Sequence, residues 1–141
     1  MNDAPPLPDP LAQGWERFPD EGFIDLVGPI FTRRADGPLR SFGFVAERKH
    51  ANLIGVVHGG MLMTLADRAL GVSAWDAAGG KPSVTIQFDM QFLSSAKMGD
   101  FVSVAPEVVR LTRSLVFMKG SLQVDDRVVA AASGIWKILE R

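Results

Sequence analysis

Residues 58–80, HGGMLMTLADRALGVSAWDAAGG, form a mostly apolar run between two pairs of glycines. The apolar positions cover most of the circumference of a helix, which is typical of a helix that is mostly buried. Gly59-Gly60 opens the run, and Gly79-Gly80, with Pro82 beyond, closes it, as expected at helix ends. The sequence therefore predicts one long buried helix over about residues 59–77.

Directly after this helix, apolar residues recur at every second position. Residues 83–92, SVTIQFDMQF, alternate between apolar and polar side chains. Such alternation predicts a strand with one apolar and one polar face. The polar face would carry Thr85, Gln87, Asp89 and Gln91.

Five further extended runs complete the expected fold. Two lie within residues 28–48, around an Ala-Asp-Gly-Pro turn, and three occupy residues 101–111, 114–124 and 127–139. No helical run separates the later strands, which disfavours a parallel sheet, and the chain has no GxGxxG or GxxxxGK phosphate loop. We therefore predict an α+β fold, with about six antiparallel strands in sequence order and one long helix.

The size and composition of the chain fit one globular domain, with 141 residues of which 47% are hydrophobic. The absence of cysteine excludes thiol catalysis, cysteine-ligated zinc and a disulfide framework. A net charge of −1 without a basic stripe argues against nucleic acid as a partner. Two histidines without metal-binding spacing give no reason to expect a metal.

The first 21 residues differ from the rest in being rich in proline. We expect a leader over 1–21, with a short helix in LAQGWERF, followed by one domain over 22–141. The start lacks the cationic and apolar regions of a signal peptide, and the longest uncharged stretch, 50–66, is too polar to span a membrane. These features predict a cytoplasmic protein with no membrane partner.

Asp67 is the unusual residue of the long helix, because no cation lies three or four positions away to pair with it. An ionised carboxylate among apolar neighbours is costly unless something hydrogen-bonds it. One interpretation is a catalytic base. The other is that the helix turns Asp67 to solvent or to a partner on another strand.

His58-Gly59-Gly60 precedes the helix, where glycines expose backbone N–H groups at the positive end of the helix dipole. Such donors can form an oxyanion hole for a carbonyl under attack, although a glycine pair can also be a simple turn. His58 and Asn52 could donate hydrogen bonds to a substrate oxygen, or serve as a structural histidine and a turn asparagine.

Asp67 and Gly59 are too far apart on one helix to act on the same bond. Eight residues separate them, which is about 12 Å along the helix axis. Two copies packed with antiparallel helices about a twofold axis would bring Gly59 of one chain near Asp67 of the other. If these residues are catalytic, the sequence predicts an obligate dimer.

The pattern Asn52-x5-His58-Gly59-Gly60-x6-Asp67, on such a helix followed by strands, resembles the phenylacetate-pathway and THEM2-like group of hotdog-fold acyl-CoA thioesterases. The resemblance implies an antiparallel sheet around the helix, and a homodimer often doubled to a homotetramer. It implies hydrolysis of acyl-CoA without a separate cofactor, since coenzyme A is part of the substrate. In family terms Gly59, Asn52 and His58 would polarise the thioester carbonyl.

The resemblance also assigns roles to three other positions. Asp67 from the facing subunit would activate water or attack the carbonyl directly, and Thr85 would help to place the water. Gly60 would contact the substrate. Thr85 could equally be an ordinary polar residue of a strand.

Two alternatives use the same pocket: a non-catalytic acyl-CoA binding protein or sensor, and a hotdog-fold enoyl-CoA hydratase. The preferred acyl chain, and whether the carrier is coenzyme A or a carrier protein, stay open. The sequence also leaves open which cations bind the phosphates of coenzyme A. The candidates are Arg33, Arg34, Lys97, Arg110 and Arg113.

Overall fold

A computed structural model describes residues 6–34 and 37–140. In chain order its elements are β1 (Glu16–Phe18), α1 (Phe23–Val27), β2 (Ile30–Arg34), β3 (Arg40–Val45), α2 (Gly59–Ala77), β4 (Ser83–Phe92), β5 (Phe101–Val104), β6 (Glu107–Leu111), β7 (Leu115–Val124) and β8 (Arg127–Ile138). Short 3-10 turns at Pro10–Gln13 and Arg48–His50 complete them.

The long helix α2 has the predicted bounds and packs one face against the sheet. Residues of that face, such as Leu65, Ala69 and Leu70, are fully buried. Met63 and Trp75 on the other face are 40% and 42% exposed. Fourteen of the nineteen residues of α2 are buried or partly buried, so the prediction of a mostly buried helix holds except along the side that the sheet does not cover. None of the helices within residues 6–34 and 37–140 is long and apolar enough to cross a membrane.

All pairings of the sheet are antiparallel, and its strands run in the order β1-β2-β3-β5-β7-β8-β4, with β6 also paired to β7. Two details of the sequence prediction are wrong. The described residues form eight strands rather than six, because β1 is added and Pro106, which lacks an N–H, divides residues 101–111 into β5 and β6. The order is not sequential, because α2 carries the chain across the sheet so that β4 pairs with β8 at the far edge.

The core lies between α2 and the sheet, with Trp136, Phe42 and Phe44 among its largest fully buried side chains. A long helix held across the face of an antiparallel sheet is the hotdog arrangement that the family resemblance implies. The outer face of the sheet carries a smaller cluster of Trp15, Phe31 and Val45, with Phe101 packed against it.

The helix predicted in LAQGWERF is replaced by two shorter elements. Gly14, at φ 88°, ends the 3-10 turn Pro10–Gln13, and the following residues form β1, which pairs with β2. Residues 1–5 of the predicted leader, and Ala35 and Asp36 of the predicted turn, lie outside the described residues. The boundary between 21 and 22 stays a prediction.

Candidate active site

The start of α2 is shaped by the side chain of His58. His58 is the N-cap residue, and its Nδ1 accepts a hydrogen bond from the backbone N–H of Gly60 at 2.8 Å. An acceptor Nδ1 places the ring proton on Nε2, so the exposed imidazole retains a donor on its outer side. His58 therefore orients the helix start and presents an N–H at the same time.

Both glycines of the helix start lie close to neighbouring side chains. A Cβ on Gly60 would lie 2.9 Å from His58 Nδ1, and a Cβ on Gly59 would lie 3.3 Å from the ring of Phe92. Among the hydrogen bonds of the described residues, none uses the N–H of Gly59, which is the first residue of the helix. That N–H is the donor the sequence assigns to an oxyanion hole, whereas the N–H of Gly60 is already donated to His58.

Asn52 lies in the loop that leads to the helix and is engaged through its carbonyl oxygen. Its Oδ1 accepts hydrogen bonds from the N–H groups of Ile54 at 3.0 Å and Val56 at 3.2 Å. The turn role that the sequence left open for Asn52 is therefore present. The side-chain Nδ2 retains its two donors, so the turn role does not use up the donor role.

Thr85 donates a hydrogen bond from Oγ1 to Asp67 Oδ1 at 2.8 Å. A β-bulge makes this contact possible, because the register of β4 with β8 shifts between Thr85 and Gln87. Thr85 then lies on the helix side of the strand, as do Phe88 and Met90, which pack on the core. The prediction that Thr85 shares a face with Gln87, Asp89 and Gln91 is wrong, because strict alternation takes no account of the extra residue.

Asp67 is exposed in the single chain, and two grooves meet at it. The apolar groove has a volume of about 440 Å³ and is lined by Phe23, Ile24, Met63, Thr64 and Phe88. The mixed groove has a volume of about 550 Å³ and includes Phe18, Asp20, Arg40, Trp75, Asp76 and Trp136. Asp67, Arg68 and Thr85 line both grooves.

Arg68 is a site residue that the sequence interpretation missed. Arg68 lines both grooves, as Asp67 does, and its Nε lies 3.1 Å from Asp20 Oδ2. Residue spacing along one helix does not reveal this pair, because Asp20 comes from a loop 48 positions away.

His50, the other histidine, has a structural role. It is 3% exposed, its Nδ1 accepts from the N–H of Glu47 at 3.0 Å, and its Nε2 bonds the carbonyl oxygen of Val27 at 2.6 Å. Burial lowers the pKa of His50 below its usual 6.5, with a smaller lowering from Lys49, and the hydrogen bond to Val27 and the charge of Glu47 oppose it. Within the described residues, no three His, Asp or Glu side chains cluster as metal ligands would.

The candidate phosphate-binding cations are dispersed. Arg33 stacks over Trp15 on the outer face of the sheet, while Lys97 forms an isolated bridge with Val56 near the start of α2. Arg110 lies on β6, and Arg113 follows it. The five cations therefore do not form a single site, and Lys97 is the one placed beside the loop of Asn52.

Comparison with known proteins places these features in a family. A model of the thioesterase superfamily matches residues 54–131. A Pseudomonas aeruginosa protein named as an esterase is 33% identical over 122 residues, which is 86% of this chain and 91% of its own length. The chain belongs to the thioesterase superfamily. The predicted enzyme class, a thioester hydrolase, is thereby confirmed.

Other members of the superfamily extend the comparison. Acyl-coenzyme A thioesterase 13 of Homo sapiens is 30% identical over 71 residues, about half of each chain. A hypothetical thioesterase protein from Streptococcus pneumoniae, solved with coenzyme A, superposes with a TM-score of 0.73 at 21% identity and covers 79% of this chain and 90% of its own. The structural likeness confirms the hotdog fold.

Proposed function

We propose that the protein hydrolyses acyl-CoA thioesters to the free acid and coenzyme A, with each active site shared by two protomers. The observation that carries this proposal is the Asp67–Thr85 hydrogen bond on the exposed face of a helix whose first N–H, on Gly59, is unused by the described residues. The names of the human relative and of the coenzyme A complex support the choice of substrate.

The chemistry requires a base and an oxyanion donor on the same carbonyl. In this proposal the Gly59 N–H donates to the thioester oxygen, and the Nε2–H of His58 and the amide of Asn52 are further candidate donors. Asp67 removes a proton from water, the water oxygen attacks the carbonyl carbon, and the carbon–sulfur bond then breaks, so that coenzyme A leaves and takes up a proton. Direct attack by Asp67 would instead give a mixed anhydride, which mass spectrometry of a single turnover would detect.

The free surface of the chain supports a dimer. Strand β4 is at the end of the sheet order, so its outer edge has no partner among the described strands. Val84 and Ile86 on β4 and Met63 on α2 are large apolar side chains that are 40% or more exposed. A free ten-residue edge beside apolar side chains favours pairing with a second copy. Twofold pairing there would set the two α2 helices side by side and antiparallel.

The test is release of thiol from a panel of acyl-CoAs by the wild type, Asp67→Asn and Asp67→Ala. We expect both variants to lose at least about a hundredfold in kcat, since a positioned base contributes about that much. Asp126→Asn is the control, because Asp126 is an exposed aspartate in the turn between β7 and β8 and lines neither groove. Equal rates in wild type and Asp67 variants would contradict the proposal.

Two other results would favour the alternatives. Tight binding of acyl-CoA without thiol release over hours would favour a binding protein or sensor. Hydration of an enoyl-CoA by the same preparation would favour a hydratase.

A further inference from the structure

One short segment, residues 18–24, lines both grooves that meet at Asp67. Its first part contributes Phe18 and Asp20 to the mixed groove, and its last part contributes Phe23 and Ile24 to the apolar groove. Between these parts the segment passes α2 at Arg68, which lines both grooves. The Asp20–Arg68 pair therefore lies at the boundary between the two grooves.

The two ends of this segment are fixed independently of the ion pair. Phe18 pairs with Ile30 in the sheet and packs edge-on against Phe42, with ring centroids 5.5 Å apart. At the other end Ile24 is only 4% exposed and belongs to the core. The central part, around Asp20, is the part that depends on Arg68.

Arg68 is the partner that the structure gives for the buried carboxylate oxygen of Asp20, Oδ2. The side chain of Asp20 is 15% exposed, and Oδ2 is buried without a hydrogen bond of good geometry, although the charged Arg68 Nε lies 3.1 Å away. A buried carboxylate oxygen without its cation is strongly unfavourable. Loss of Arg68 should therefore move Asp20 out of the boundary, and loss of Asp20 should release Arg68.

We propose that the Asp20–Arg68 pair is a partition that confines the acyl chain to the apolar groove and so sets the longest acyl group the enzyme accepts. This inference rests on the proposed acyl-CoA substrate. Arg68 lies within the family match over residues 54–131, whereas Asp20 lies outside it. The partition therefore joins α2, which the family model matches, to a segment that it does not match. This is what we expect if the accepted acyl length differs among members of the family.

The experiment measures two quantities along a series of butanoyl, octanoyl and hexadecanoyl substrates. The first is kcat/KM for thiol release, and the second is the Kd of the matching non-hydrolysable S-alkyl coenzyme A thioethers. In Asp20→Ala, Arg68→Ala and the double variant, we expect the hexadecanoyl to butanoyl ratio to rise by about tenfold or more in kcat/KM and to fall by about the same factor in Kd, because the longer chain is then accepted better. Because the two residues form one partition, the double variant should shift the ratio no further than either single variant.

Two controls separate a partition from a general effect on stability or charge. The charge-reversed pair Asp20→Arg with Arg68→Asp should restore the wild-type length profile. Arg127→Gln breaks a different ion pair, with Asp100, that lines neither groove, and should leave the ratio unchanged.

The outcomes distinguish this inference from the proposed function. A shifted length profile in thioether binding without any thiol release would support the partition and refute hydrolysis. Hydrolysis with the same length profile in all variants would refute the partition and leave the function standing. Failure of every thioether to bind the wild type, together with no thiol release from any acyl-CoA, would overturn both.

Discussion

The two faces of α2 differ in what they touch and in what they can do. One face buries Leu65, Ala66 and Leu70 completely against the sheet. The other leaves Met63, Asp67 and Trp75 exposed along the grooves. A single helix therefore carries the core on one side and the candidate chemistry on the other. Substitutions on the first face should change stability, and those on the second should change activity.

The largest effect on stability is expected from Leu65→Ala. Leu65 is fully buried, so removal of its side chain loses burial and leaves a cavity, at a cost of about 2 to 5 kcal/mol in the free energy of unfolding. Urea unfolding measures this loss. Met63→Ala is the control on the opposite face: it should change stability by less than about 1 kcal/mol and alter acyl-CoA binding instead. Equal destabilisation by the two variants would contradict the claim that only the sheet-facing side of α2 determines stability.

The largest effect on activity without unfolding is expected from Gly59→Pro. Proline is favoured at the first position of a helix, and His58 at φ −61° and ψ 134° has the conformation preferred before proline. The substitution therefore keeps the helix, removes the candidate oxyanion donor and adds side-chain atoms near Phe92. We expect kcat to fall by about a hundredfold to a thousandfold, measured as thiol release.

Gly59→Ala is the matched control, because it adds the same Cβ against the ring of Phe92 but retains the N–H. If the alanine variant were as inactive as the proline variant, the loss of kcat would be due to the added Cβ against Phe92 and not to the missing N–H. Mixed dimers of Gly59→Pro and Asp67→Ala test whether a site is shared. Each variant alone should be inactive, and co-expression should restore part of the wild-type rate, since one of the two sites in a mixed dimer is intact.

A smaller effect is expected from Thr85→Val, which retains the shape of the side chain and removes the hydrogen bond to Asp67. A hydrogen bond to a charged group contributes about 1.5 kcal/mol at the lower end, so kcat should fall by about tenfold. Thr85→Ser should restore most of the rate. If valine and serine behaved alike, the hydroxyl would have no part in the chemistry.

The bounds of α2 could be predicted from the sequence because its signals are local. Glycine pairs, helical spacing and a proline beyond the end all act within a few residues. The same is true of the Asp125-Asp126 turn that joins β7 to β8. The order of the strands could not be predicted in this way, because the position of β4 beside β8 depends on where α2 crosses the sheet.

Some candidate site residues were accessible to sequence reasoning for the same reason. His58, Gly59 and Asp67 lie within ten consecutive positions of the sequence, at the N-cap or in the first half of one helix, so their type and spacing identify them. The side on which Thr85 lies depends on a bulge that appears only when β4 pairs with β8. The Asp20–Arg68 pair depends on a loop that folds back over the helix. Such tertiary contacts have no periodic signal in the sequence.

The smallest effect is expected from pH, through His50 on the buried side of the molecule. Burial lowers the pKa of His50 in the folded protein, so the neutral ring is favoured there relative to the unfolded chain. The resulting stability is fully present above pH 6.5, the ordinary value for histidine, and is lost as the pH falls below it toward the lower pKa of the folded state. Protonation would also displace the N–H of Glu47 from Nδ1.

Urea unfolding at a series of pH values from about 7.5 to about 5 measures this loss, with His50→Gln as the variant that cannot titrate. We expect the free energy of unfolding to fall on acidification in the wild type and to fall less steeply in His50→Gln. His50 also holds the carbonyl of Val27, at the end of α1, whose Phe23 and Ile24 wall the apolar groove. Weaker acyl-CoA binding should therefore accompany the loss of stability, and parallel slopes in the two proteins would show that groups other than His50 control both.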